Sequence, residues 1–400
     1  MLTPNTVDLF SRFMASEFDE KDIVAVPTAF QSIFGKPGSQ TIFSPNALLA
    51  EIDIIRANER IAALGPRGTV SRSLGSLQKN LNVEKSTSFS RVFPLSEEEG
   101  DITGDQILYR LAGENPYEQK DRLTRMRKLA LKIHLESIRR TTRMFEVLAS
   151  QSARTGKMDT IIGTANTDLQ FDFKRDATLT VTPSTKWDVA STDILGDIDA
   201  MCDKIRSLGK VKPNVMFVGG GAMDAIINNT GIQTLADNRR FELVQISNKD
   251  SVPPEFSRYT SAGWNARGRL KTPKGYEIWL FTNVDGYTNS AGTFTPYMPV
   301  NEALITSTMA RADRYFGPSE QLPMLAQRRQ LYSEIFGFSP EAPLMPAMEM
   351  SPGGIIDPGM FYCDVYVAQD WKKLTVRTQS APIFATTMTD AFGLYTGVLT

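Results

Sequence analysis

The longest stretch of regular hydrophobic patterning lies between Asn115 and Gly156. Apolar or small residues recur at Leu131, Leu135, Ile138, Thr142, Phe145 and Ala149. Alternating steps of four and three put them on one face of a helix. Asn115-Pro116-Tyr117-Glu118 supplies a start. Asn accepts from the first free backbone N–H groups, Pro suits the first helical position, and an acid three residues after the cap completes a capping box. No Pro or Gly follows until Gly156, a good stop. The pattern predicts roughly 35 to 40 helical residues, about 50–60 Å long. The mean globular helix has only about 11–12 residues, so this one is a spine.

The segments before the spine are patterned differently. Phe30, Ile33, Phe34, Ile42 and Phe43 are apolar but punctuated by Gly35, Pro37, Gly38 and Pro45. A segment that apolar and that broken needs another surface to lie on. Asp53–Leu64 reads as strand or short helix, and Gly65-Pro66-Arg67-Gly68 ends it. From Arg67 to Gly113 polar residues dominate. Phe89–Leu95 alternates in strand fashion, and the acidic run Ser96-Glu97-Glu98-Glu99-Gly100-Asp101 follows. About fifty residues of weak core character read as a long extended hairpin, and loops of that length are usually functional or interacting.

Beyond the spine, Leu169–Phe173 and Ala177–Val181 are short strand-like runs, and Ile194–Leu208 is an amphipathic helix. Val215–Val218 reads as a continuous buried strand, followed by Gly219-Gly220-Gly221 and a helix over about 222–227. Glu277–Phe281, Ala303–Ile305 and Phe361–Val367 are further strands, with Asp285-Gly286 a turn signal. Residues 317–360 are rich in Pro, Met and Gly and read as an irregular insertion. There is no internal repeat.

Composition narrows the possibilities. The 400 residues are 41% hydrophobic, enough for two or three domains. Forty-four basic against forty-five acidic residues give a net charge of -1, which argues against a dedicated nucleic-acid binder. Two cysteines, Cys202 and Cys363, cannot make a disulfide framework, so a reducing compartment is the default. The first twenty residues do not read as a signal peptide, and no apolar run suffices to cross a bilayer. The expectation is a protein that is soluble and intracellular when made.

Candidate chemistry is sparse. The triple glycine would need another glycine at Asp224 to make a dinucleotide fingerprint, and a carboxylate there would repel a pyrophosphate. It reads as a tight strand-to-helix turn. The single histidine, His134, and two distant cysteines cannot supply a zinc set. There is no phosphate loop and no nucleophile elbow. No catalytic, cofactor or metal residue is expected, and His134 reads as a helix-surface or packing residue. Between Lys120 and Arg143 the spine is basic: Lys120, Arg122, Arg125, Arg127, Lys128, Lys132, Arg139, Arg140 and Arg143 outnumber the acids Asp121 and Glu136. That face is either solvated or set against an acidic segment or a nucleic-acid backbone. The sixteen methionines suit adaptable packing.

Taken in order, these features resemble the major capsid proteins of tailed bacteriophages, specifically the lambda-type family. The resemblance runs from near Phe30 to the C-terminus. It covers Asp53, Arg60, Ala63, Pro66 and Gly68, the extended segment, the spine closing on Thr155-Gly156-Lys157, the strand LQFDF and Trp187. VMFVGGGAMDAI, PVNEALI and Arg314-Tyr315-Phe316-Gly317 follow. The ending, Gln379-Ser380-Ala381-Pro382 with Thr389-Asp390-Ala391, is the most specific piece. The 317–360 insertion is longer than the family leads one to expect.

The resemblance implies an α+β chain with the Hong Kong ninety-seven fold of tailed-phage shells. Its parts would be an N-terminal arm (1–66), an extended loop (67–118), a peripheral domain with the spine (119–212, rejoined by 361–379), an axial domain (213–316, completed by 380–400) and the insertion (317–360). It further implies hexamers and pentamers forming an icosahedral head around double-stranded DNA. The implied partners are a portal, a scaffold and decoration proteins, with non-specific DNA contact, assembly in the host cytoplasm and no membrane. Two alternatives stand beside it: a nanocompartment enclosing protein cargo, which the C-terminal signature disfavours, and an oligomeric α/β enzyme, which the missing cofactor motifs disfavour. A loop that crosses a neighbour would carry Glu97, Glu98, Glu99 and Asp101 onto that neighbour's Arg139, Arg140 and Arg143. Some relatives crosslink a loop lysine to a neighbouring asparagine. Here Lys79 and Lys85 are read as ordinary solubilising residues, and a single band near 44 kDa, or slightly lower if the chain is trimmed, is expected on denaturing gels.

Overall fold

The computed structural model describes residues 28–34, 41–43, 49–52, 54, 89–103, 122–159, 170–236, 241–243, 252–289, 292–317, 361–367 and 373–400. The expected cap at Asn115–Glu118, Lys79 and Lys85, nearly all of Asp53–Leu64 and the insertion beyond Gly317 lie outside these residues.

In chain order, the arm contributes a one-turn 3-10 helix (Phe30–Ile33) and strands β1 (Thr41–Phe43) and β2 (Leu49–Ile52). β3 (Phe89–Val92) pairs antiparallel with β2. The acidic run then forms a strand, β4 (Ser96–Thr103). The spine is helix α1 (Arg122–Thr155), 34 residues long. A short hairpin of β5 (Lys157–Asp159) and β6 (Gln170–Asp172) follows. The second expected strand-like run is mostly a 3-10 turn, because the Asp176 side chain accepts from the Thr178 N–H and turns the chain before β7 (Thr180–Val181).

Helix α2 (Ile194–Leu208) matches its predicted span, with Asp193 capping it through the Gly196 N–H. Next come β8 (Val215–Val218), α3 (Gly220–Asn228), α4 (Thr230–Ala236), β9 (Phe241–Leu243), α5 (Ser257–Ser261), β10 (Asn265–Lys271) and β11 (Glu277–Thr282). A hairpin of β12 (Gly286–Thr288) and β13 (Phe294–Pro296) leads to β14 (Ala303–Thr306) and β15 (Asp313–Phe316). The chain closes with β16 (Tyr362–Val367), β17 (Lys373–Ser380), β18 (Pro382–Ala385) and β19 (Gly393–Tyr395).

The largest sheet among the described residues has the order β7-β19-β14-β8-β11-β10-β9, and its strands β8, β14 and β19 are buried on both faces. That is why VMFV reads as a continuous apolar run. Val215 and Phe217 pack into one core, and Met216 and Val218 into another, following the period of two along a strand. The first core also holds the end of the spine, the arm turn and the mixed sheet β1-β15-β18. The second is roofed by α2 and α3. Packing therefore groups Leu179, Trp187 and α2 with the strand-to-helix unit that follows them, although the expected boundary at 213 put them with the spine.

Burial changes along the spine. Ile138, Thr142, Phe145 and Ala149 of the predicted stripe are buried. From Phe145 to Ser150 every residue is buried, whereas Lys132, Arg140 and Arg143 upstream are exposed. The helix thus leaves the first core as it runs back toward its N-terminus, keeping one buried face at Leu129, Ala130, His134 and Ile138. At its other end Gly156 takes φ +68°, which suits glycine. The Arg175 guanidinium donates to the carbonyls of Arg154 and, at 2.7 Å, Ala153, capping the last turn. Burial holds the Arg175 pKa down, at about 9.

Candidate functional site

The emergent half of the spine carries a narrow antiparallel sheet, β16-β17-β4. β4 pairs with β17 along its whole length, from Ser96↔Ser380 to Thr103↔Lys373. The acidic run is therefore a strand, although the sequence places it in a loop. Its partner lies some 270 residues downstream, beyond the reach of any local pattern.

Strand alternation divides the acids between two faces. Toward the spine lie Glu98, Gly100 and Ile102. Glu98 is 3.5 Å from the Arg140 guanidinium, and Ile102 is buried. A Cβ added at Gly100 would come within 2.3 Å of Ile133, so the strand backbone sits directly on the helix. From the same face of β17, Thr378 shares a 3.0 Å hydrogen bond with His134 Nδ1. His134 is buried, and burial pushes its pKa down to about 4. It is a packing residue, one of the two readings its position allowed.

The other face carries Glu97, Glu99 and Asp101. Arg377 donates to Glu97 at 2.8 Å, and Thr375 Oγ1 donates to Asp101 at 2.7 Å. On the spine, Arg139 lies 3.9 Å from Glu136, Arg140 reaches both Glu136 and Glu98, and Arg143 is exposed. Of the seven residues expected to meet across subunits, the fold thus brings Glu98 and Arg140 together within one chain. Glu97, Glu99 and Asp101 are turned away from their own spine.

A second cluster ties the arm to the buried half of the spine. Glu146 has no solvent exposure, and its carboxylate accepts the backbone N–H groups of Phe30 and, at 3.1 Å, Gln31. The Gln31 side chain donates to the Thr142 carbonyl at 3.3 Å. The Trp264 indole donates to the Ala29 carbonyl at 2.7 Å, and its ring meets Phe30 edge-on at 5.0 Å. Burial pushes the Glu146 pKa up to about 8, against the lowering effect of the hydrogen bonds from the Phe30 and Gln31 backbones and the Gln31 side chain. Sequence reasoning missed this anchor. Its one signal is an acid, Glu146, inside the apolar stretch MFEVLA.

A third tie is the half-buried pair Arg154–Glu302, at 2.7 Å, which joins the end of the spine to the approach of β14. Among the described residues no group of three or more His, Cys, Asp or Glu side chains could hold a metal ion. Among them, too, no helix is long and apolar enough to cross a membrane.

The frame is an arm pinned to a long helix, a thin sheet riding on that helix and a two-faced sheet beyond it. The family model for phage major capsid protein E matches residues 73–326, more than half of the chain, and the chain belongs to that family. It is a structural capsid shell protein. Its fold is the Hong Kong ninety-seven fold of tailed-phage heads. A protein assigned as the capsid protein of a prophage in E. coli CFT073 superposes with a TM-score of 0.59 at 15% identity, covering 98% of each chain. A phage-related protein from Bordetella bronchiseptica RB50 aligns at 10% identity and a TM-score of 0.44, covering 98% of this chain and 97% of that one. The satellite phage P4 procapsid aligns at 10% identity and 0.39, covering 96% of each chain. No curated protein matches the sequence.

Proposed function

We propose that this chain is the major building block of a tailed-phage head, arranged as hexamers and pentamers in an icosahedral shell around packaged double-stranded DNA. The observation that carries the reading is the emergent half of the spine. Among the described residues it has a single narrow sheet for company and shows charged residues on its open side. Such a surface suits closed symmetric assembly, in which one patch meets a different patch on the next copy. The outward acids Glu99 and Asp101 and the outward bases Arg139 and Arg143 are the charged surfaces offered to neighbours, with Glu97 held by Arg377 of its own chain. A near-zero net charge fits a shell whose DNA is loaded by a motor acting through a portal, in place of condensation on basic tails.

In this reading the arm and the extended loop reach onto adjacent subunits. The spine with its narrow sheet is the peripheral part, and the seven-stranded sheet is the axial part. A scaffold and decoration proteins are the further partners, the host cytoplasm is the place of assembly, and the chain performs no catalysis. Negative-stain microscopy of the purified full-length chain tests it. Rings or closed shells are expected, with each subunit burying well over the roughly 1,600 Å² of a standard interface. A population made only of compact monomers would overturn the proposal.

A further inference from the structure

Arg314 stands on β15, the middle strand of the mixed sheet β1-β15-β18. Its register partners are Thr41 of the arm and Phe384 of β18, so strand alternation sets all three on one face with Phe316. On that face Phe316 and Phe384 meet Phe145 of the spine at 5.7 and 5.8 Å, and Phe384 also meets Phe34 at 5.4 Å. The Arg314 stem therefore starts from an aromatic surface, and its Nε is buried without a hydrogen-bond partner. Elsewhere in the chain, partly buried arginines end on a counter-group. Arg154 reaches Glu302, Arg311 reaches Asp313, Arg377 reaches Glu97, and Arg175 donates to the carbonyls that close the spine. Among the described residues Arg314 has no such partner, and burial alone acts on it, holding its pKa below the usual arginine value. A cation drawn part-way out of water without a counter-charge destabilises the subunit that carries it.

We propose that Arg314 is a socket for a carboxylate of a neighbouring copy, an Asp or Glu side chain that closes on the guanidinium when subunits join. The inference rests on the shell reading above, which supplies the second copy. Two features favour a protein carboxylate over a nucleic-acid phosphate. First, the site offers a single cation, since no second Lys or Arg acts on it. A DNA backbone, with its closely repeated charges, is held by several bases together. One planar fork of N–H donors matches one carboxylate instead. Second, the chain holds 44 bases and 45 acids, so a base left without an acid inside one copy can find one on the next. Pairing on assembly turns an unfavourable group of the free subunit into a favourable contact of the shell, and it ties subunit joining to the sheet that carries the arm strand β1.

Arg314→Met keeps an unbranched stem and removes the charge. In the full-length subunit before assembly, its unfolding midpoint should equal or exceed that of the unaltered chain, because no partner is lost. Shell formation without DNA, followed by light scattering, should then need about tenfold more protein or fail. In shells of Arg314→Lys, a carbodiimide should couple position 314 to an Asp or Glu. Mixing light and isotope-labelled subunits before assembly should give coupled peptides that join one light and one heavy copy. A lowered midpoint in Arg314→Met, or coupling confined to single copies, would place the partner inside the subunit and overturn the socket. A defect that appears only in DNA-filled heads would assign the guanidinium to phosphate and overturn it as well. Normal assembly of Arg314→Met would overturn the socket and leave the shell reading standing. Failure of the unaltered chain to form rings or shells would remove both.

Discussion

His134 shows how much one side chain's surroundings decide. On the sequence alone it is the single histidine of a basic helix, and a surface position would leave it titrating near neutrality. The fold buries it beneath β17 against Thr378, and its pKa falls to about 4. The sign follows from linkage. A depressed pKa means that the unfolded chain binds the proton more readily, so the contribution is complete above pH 6.5 and is lost as pH falls toward 4. A shift of that size corresponds to at most about 3 kcal/mol. His134→Gln keeps a hydrogen-bonding side chain but does not titrate. Denaturant midpoints measured from neutral pH down to about pH 4.5 should fall less steeply in the variant than in the unaltered protein. Equal slopes would mean that His134 is not the group being protonated.

At the scale of elements, the joint between β4 and the spine depends on a residue with no side chain. A methyl group at Gly100 would press into Ile133, itself part of a packed helix. Gly100→Ala should therefore lift β4 and cost about 1–3 kcal/mol, the usual range for overpacking. Measured by denaturant unfolding, Gly100→Ala combined with Ile133→Ala should be less destabilised than the sum of the two single changes. Strict additivity would show that the two residues do not meet. The same joint explains what the sequence did and did not reveal. The spine, α2 and the buried strand β8 were legible because their apolar residues recur at the period of their own secondary structure. β4 was not, because its inward face is Glu98, Gly100 and Ile102, and only the last is apolar. The Glu146 anchor was hidden for another reason: its partners, Phe30 and Gln31, lie more than a hundred residues away, and no periodicity records such a pairing.

At the scale of the whole molecule, the division of the acidic run between two faces separates folding from assembly. Glu98 is committed to Arg140 of its own spine, and Glu97 to Arg377 of its own sheet. Glu99 and Asp101 are exposed on the outward face, and Arg139 and Arg143 present positive charge from the spine. If outward acids of one copy meet outward bases of the next, reversing Glu99 and Asp101 to Lys should impair shell formation by more than the loss of subunit stability, including that of the Thr375–Asp101 hydrogen bond, accounts for. Adding Arg139→Glu and Arg143→Glu should restore part of the yield. One exposed pair contributes only about 0–1 kcal/mol, too little to hold two subunits together. Repeated at every equivalent contact of a closed shell, the same increment biases orientation at each addition, and salt should weaken it. Glu98→Lys is the control, expected to lower subunit stability before it alters assembly, since its partner is internal. Shells forming from the Glu99→Lys, Asp101→Lys variant at normal yield in physiological salt would show that this charged face stays solvated and that other surfaces join the subunits.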